Sequence, residues 1–337
     1  MKITIYDVAK KAGVSISTAS KALNDRRDVG DATKEKIREI AKEMNYEPSH
    51  FARALAMRKT ENIGVITVRY YGSPMITNPF YSRIIEGIEE RLISNNLNLV
   101  TNVLTGEQVE KMEMPKMIKE KSADGVILLG YMPDEFVEIV ASKGVPVVMV
   151  DNYYRNSGIT SITTDDVSGA VQAVSKLIET GHKRIAYISG PSRRRSFKLR
   201  GEGYAKALAE AGMDFDPSLA VYNESEDRSF DWMKKILDGQ KPDAVFACND
   251  VTAILAINML REAGLSVPND ISVVGFDNIE LSQHFIPAIS TVDINKEAMG
   301  LKAADMLLEY VNTKQNRAEK IVFPVNLIVR ESLKPRT

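Results

Sequence analysis

Two groups of residues in this 337-residue chain have types and spacing that suit specific chemistry. In the first, Ile16, Ser17, Ser20 and Lys21 point away from a face made of Val14, Ala19, Ala22 and Leu23. Short hydroxyls beside one cation suit the base edges of a DNA major groove. In the second, polar residues stand just past short apolar runs: Asp151 after VPVVMV, Asn249 and Asp250 after DAVFAC, Asp277 after ISVVGF. Arg200 opens a helix that follows RIAYIS. Carboxylates, an amide and a guanidinium present donors and acceptors in planar pairs, which is what vicinal hydroxyls need, so a sugar-like effector is expected. Catalysis has little to stand on. The chain has no G-x-G-x-x-G after a strand, no G-x-x-x-x-G-K-[ST] and no G-x-S-x-G. His50, His182 and His284 lack metal-ligand spacing, and Asp165 and Asp166 are merely neighbours in the chain. No enzyme activity, metal or cofactor is expected.

The elements that must position these residues follow from the hydrophobic spacing. Ile5, Val8, Ala9 and Ala12 mark one helix face, Thr4 with Asp7 fits a capping box, and Gly13 ends the helix. Ser15 caps a second helix running to about Asn24, and Ile37, Ile40, Ala41 and Met44 mark a third. Periodicity alone fits an ordinary helical hairpin as well as a helix-turn-helix with Ser15–Asn24 as recognition helix. From Ile63 the pattern changes to IGVITV, DGVILL, VPVVMV, RIAYIS, DAVFAC and ISVVGF, buried parallel strands alternating with helices such as FYSRIIEGIEERLISN and RGEGYAKALAEAG. The fold class is therefore α/β: a small all-α head plus a core of two doubly wound parallel-sheet halves. Joins are expected near Ser161 and Ser290, with a return strand in KIVFPVNLIV. The resulting boundaries are 1–48 for the head, 49–60 for a hinge and linker, 61–161 with 290–320 for one half, and 162–289 with 321–337 for the other. In such sheets ligands bind outside the carboxyl ends of the strands, which gathers Asp151, Asn249, Asp250 and Asp277 around one cleft.

Composition agrees. One cysteine, Cys248, excludes a disulfide framework, no apolar run reaches the length of a membrane span, and MKITIYD lacks a signal-peptide core. A reduced, cytoplasmic, nucleoid-associated protein is expected. The net charge of −1 hides an asymmetry, because residues 1–60 hold 13 Lys and Arg against 8 Asp and Glu. A basic head on an acidic body suits a polyanion, although solvated surface charge gives the same imbalance.

Thr4-Ile5-Tyr6-Asp7-Val8-Ala9, Ala12-Gly13-Val14-Ser15, Thr18, Ser20, Asn24, Thr33 and Asn45-Tyr46-Glu47-Pro48 resemble the amino terminus of the lactose-repressor/galactose-repressor family, and the likeness continues along the chain. The resemblance implies a type I periplasmic sugar-binding core and a homodimeric repressor, or a pair of dimers, on a pseudo-palindromic operator. It assigns Ile16, Ser17 and Lys21 to base edges and Thr4, Ser15, Thr18 and Asn24 to phosphates. It makes Leu55 the wedge that a hinge helix inserts into the minor groove. It supports Arg200, Asn249 and Asp277 in the cleft and adds Phe80, whose ring could stack on a sugar, and Arg194. Two departures stand out: Gly30 replaces a usual serine, and Lys21 stands where many members carry arginine, which puts a bidentate guanine contact in doubt.

Arg193-Arg194-Arg195 follow Gly190-Pro191, so their loop should overhang the cleft mouth. Like Arg155, they also fit a solvated loop. Guanidinium forks there suit a sugar acid or sugar phosphate. The reading that results is a repressor of carbohydrate-utilisation genes. A regulator strengthened by a corepressor or phosphoprotein, and a sugar-processing enzyme with a DNA-binding head, are the alternatives.

Overall fold

The computed structural model describes residues 3–26, 28–46, 59–69, 78–152, 154, 158–224, 239–315 and 317–336. Leu55, Arg155 and most of the expected hinge lie outside the described residues. Among the described residues no helix is long and apolar enough to cross a membrane.

The head is three helices, α1 (Ile5–Ala12), α2 (Ile16–Leu23) and α3 (Asp31–Glu43). Val8, Ala9, Ala12, Ala19, Ala22, Ile37 and Ala41 form its core, as the spacing requires, and Val29 and Tyr46 join them. Gly13 (φ 73°) makes the corner, because only a residue without Cβ takes this conformation cheaply. Gly30 is the N-cap of α3 and supplies no side-chain hydrogen bond.

The core begins with β1 (Asn62–Arg69), α4 (Pro79–Ser94), β2 (Asn98–Thr105), β3 (Gly125–Leu129), α5 (Asp134–Ala141), β4 (Val147–Val150) and β5 (Thr160–Thr164). The second half adds α6 (Asp166–Glu179), β6 (Ile185–Ser189), α7 (Arg195–Glu210), β7 (Ala220–Tyr222), β8 (Ala244–Ala247), α8 (Asp250–Glu262), β9 (Ser272–Asp277), α9 (Glu280–His284) and β10 (Ser290–Ile294). The chain ends with α10 (Lys296–Thr313), β11 (Lys320–Phe323) and β12 (Val325–Ile328). The sheets run β11-β5-β4-β3-β1-β2 and β12-β10-β9-β8-β6-β7, so leaving out β11 and β12 the two halves share one strand order. The pairs β1–β3, β3–β4, β4–β5, β6–β8, β8–β9 and β9–β10 are parallel, as buried apolar runs lead one to expect.

Three expectations are corrected. The joins near Ser161 and Ser290 fall later, since β5 stays in the first sheet through Thr164 and β10 in the second through Ile294. The crossings are therefore at Asp165 and Asn295. The return strand KIVFPVNLIV is two strands: β11 adds parallel to the first sheet and β12 antiparallel to the second. Pro324 lies between them and has no N–H for a ladder, which is why the run divides there. Finally, the helix expected to open at Arg200 opens at Arg195. Arginine is a good helix former, and no glycine or proline stands between Arg195 and Arg200 to delay the helix that starts after the extended N-cap Arg194.

Candidate functional site

Helix α2, the expected recognition helix, is held by its ends. Ser15 Oγ accepts the Thr18 N–H at 3.0 Å and lies 2.8 Å from Thr18 Oγ1, while Asn24 Nδ2 donates to the Ser20 carbonyl at 2.8 Å. Thr4 donates its N–H and hydroxyl to the Asp7 carboxylate at 2.9 and 2.7 Å and starts α1. The four residues assigned to phosphates are thus helix-end residues with local hydrogen bonds of their own. Ile16, Ser17 and Lys21 are exposed on one face, Ile16 with 49% of its surface accessible. Lys21 Nζ is 2.6 Å from Asp28 Oδ2, and its ammonium holds that carboxyl below the usual range.

The cleft of the core collects six of the seven residues expected to line it, Asp250 being the exception. Phe80, Asp151, Arg194, Arg200, Asn249 and Asp277 line one pocket. Asp151 follows β4 and Asp277 ends β9, while Asn249 caps α8 just beyond β8. Phe80 is placed by α4, whose N-cap Asn78 accepts the Phe80 N–H at 2.9 Å, with Pro79 in the first turn. Helix α4 is seated by α10, and Gly300 permits the approach, because a Cβ there would stand 2.0 Å from the Ile84 carbonyl oxygen.

Arg200 is the centre of the site's electrostatics. Its guanidinium is buried, with Nε 2.8 Å from Asp166 Oδ1 and Nη1 3.0 Å from Asp277 Oδ1, and it lies 3.7 Å over the Phe276 ring. Burial works against its charge, but Asp277 and Asp166 outweigh that and hold it firmly protonated. Arg200 is therefore both a buried ion-pair member and a cleft wall. Burial pushes the Asp277 carboxyl up to about 6 even beside this cation. Burial also raises Asp151 to about 7, although the Tyr81 hydroxyl donates to Asp151 Oδ2 at 2.5 Å and favours the ionised form.

Asp250 does not line this pocket. It is fully buried, accepting the Thr291 hydroxyl at 2.5 Å and the Ile279 N–H at 2.9 Å, which makes it a tie between β10 and the loop after β9. Arg194 and Arg195 line the cleft, whereas Arg193 lines a neighbouring groove and donates to the Glu224 carbonyl at 3.3 Å. His182 is buried in the turn entering β6, with Nδ1 2.9 Å from the Leu177 carbonyl oxygen. Sequence reasoning missed Tyr81, Tyr131, Asn152, Phe197 and Ile279 on the cleft wall. Tyr81 and Asn152 each directly follow a residue that was named, and that adjacency was the available signal.

Among the described residues no cluster could hold a metal ion. The arrangement offers directional hydrogen bonds and aromatic faces to a small polar ligand.

Residues 4–49 match the family described as bacterial regulatory proteins, lacI family, and residues 174–333 match the periplasmic binding protein-like domain. The HTH-type transcriptional repressor PurR of Histophilus somni (strain 129Pt) is 34% identical over 337 residues, which cover 98% of this chain and 99% of the relative. The lac repressor dimer bound to operator and the anti-inducer ONPF is 28% identical, with a TM-score of 0.82 over 98% of this chain and 99% of that one. The transcriptional regulator CelR–cellobiose complex is 30% identical, with a TM-score of 0.73 over 98% and 100%. Such identity over nearly the whole length, on a helical head and a double parallel-sheet core, establishes that the chain belongs to the lacI family and is a transcriptional repressor with DNA-binding and effector-binding domains, not an enzyme.

Proposed function

We propose that the protein represses carbohydrate-utilisation genes as a cytoplasmic homodimer on a pseudo-palindromic operator, and that a sugar-like effector in the cleft alters operator affinity. Ile16, Ser17 and Lys21 read base edges, Thr4, Ser15, Thr18 and Asn24 hold phosphates, and Leu55 wedges the minor groove. Phe80, Asp151, Arg194, Arg200, Asn249 and Asp277 hold the effector. The observation that carries this reading is the convergence of these six residues on one pocket at the carboxyl ends of strands from both sheets. Pairs of planar acceptors and donors beside aromatic rings suit a polyhydroxylated ring. The likeness to a repressor bound to operator and to a regulator bound to cellobiose supports both partners.

A second reading, an acidic sugar, is favoured by Arg194 and Arg195, which add guanidiniums to the cleft wall beyond Arg200. Operator affinity measured with and without D-glucose, D-ribose, cellobiose, D-gluconate and glucose 6-phosphate tests the proposal. At least one should shift the affinity. Tightening by effector would identify a corepressor system, and indifference to all five would remove the sugar assignment.

A further inference from the structure

At the crossing from β10 to α10, Asn295 is followed by a lysine only 8% exposed. A buried ammonium needs acceptors around it, and Lys296 finds them on the main chain. Its Nζ donates to the carbonyl oxygens of Asp277 at 2.5 Å, Asn278 at 3.2 Å and Ile294 at 3.0 Å. Asp277 and Asn278 are consecutive non-glycine residues with positive φ, 101° and 45°. Backbone of this kind persists only where its surroundings over-determine it. Here Asn278 Nδ2 donates to Asp293 Oδ1, Arg330 Nη2 donates to Asn278 Oδ1, both at 2.7 Å, and the Asn278 N–H donates to Thr291 Oγ1 at 3.2 Å. These bonds hold Asn278, whereas the Asp277 carbonyl is held by Lys296. The same Asp277 turns its carboxylate to Arg200 and to the cleft.

We propose that Lys296 is a positioning residue for effector recognition, pinning the left-handed Asp277–Asn278 main chain to the crossing and so aiming the Asp277 carboxylate into the cleft. This rests on the cleft being the effector site. Lys296→Met fills the space without donating, and Lys296→Gln keeps a shorter donor should the methionine variant fold poorly.

Hydrogen exchange on the intact, ligand-free chain tests the pin directly. In Lys296→Met the amides of Asn278 and Ile279 should exchange at least about tenfold faster relative to Val273 and Val274, inside β9. Equal acceleration along β9, or none, overturns the proposal. Titration with D-glucose, D-ribose, cellobiose and D-gluconate tests the consequence. The sugar that the wild type binds should bind at least about tenfold more weakly to Lys296→Met, and this extra loss should shrink below about twofold in an Asp277→Asn background. Undiminished loss in that background means Lys296 acts by general loosening and overturns the proposal. A wild type that binds none of the four counts against the sugar assignment, and the exchange experiment still decides the pin.

Discussion

At Lys21 the recognition helix carries an ammonium that already has a carboxylate, Asp28, at 2.6 Å. Both side chains are about half exposed, and exposed pairs of this kind contribute about 0–1 kcal/mol, so a base edge can displace Asp28 at little cost. Lys21→Ala should therefore cost roughly 1–3 kcal/mol on the operator and much less on random DNA, measured by fluorescence anisotropy at fixed salt. Equal losses on both would make Lys21 a phosphate contact. Asp151 poses the opposite electrostatic problem, a carboxyl raised to about 7 by burial. Its ordinary value is about 4, so the native state keeps a proton that the unfolded chain releases, and native stability falls as pH rises from about 4 to about 7. Asp151→Asn, which keeps an acceptor for Tyr81 and tolerates φ 53°, should raise the melting temperature by about 2–4 °C near pH 8. The gain should disappear below about pH 4, where both states are protonated. A gain that persists at low pH would show that the buried charge is not its cause.

At the scale of elements, what could be read in advance was whatever a short window of sequence determines. The helices of the head, the Ser15 cap and the Gly13 corner follow from local spacing, and they lie where the spacing puts them. Asp151, Asn249 and Asp277 were legible because each ends or follows a run too apolar to be anything but a buried strand. Tyr131 and Phe197 were not, because tertiary packing decides which aromatic side chain meets the cleft. The division at Pro324 is physically plain once two sheets compete for the segment, but KIVFPVNLIV alone does not say that there are two. Nor does spacing announce the close crossing of α4 and α10. Gly300→Ala should force these helices apart against the Ile84 carbonyl and cost roughly 1–3 kcal/mol in urea unfolding of the core. A loss within a few tenths of a kcal/mol would mean the helices slide apart freely, and α4 would then not be a fixed platform for Phe80 and Tyr81.

Across the whole molecule, the two halves of the core are joined by single stretches at Asp165, Asn295 and Pro324, and the first and third are tied where the Asp165 N–H donates to the Phe323 carbonyl at 3.0 Å. Short crossings of this kind absorb the dihedral changes of a hinge while the sheets on either side stay rigid. A ligand bridging Asp151 on one side and Arg200 on the other gains most when the halves close, so it favours the closed arrangement by its differential affinity. If the DNA-binding form prefers the open arrangement, sugar and operator must oppose each other by a single factor, since coupling between two binding sites is reciprocal. Calorimetric titration of the active sugar into the free protein and into protein saturated with operator duplex measures that factor directly. The expected outcome is weaker sugar binding on the operator complex, by the same roughly 5- to 150-fold by which the sugar weakens operator binding. Tighter sugar binding on the operator complex would reverse the sign and make the ligand a corepressor. Identical affinities in both titrations would mean that closure of the cleft does not reach the DNA-binding head at all.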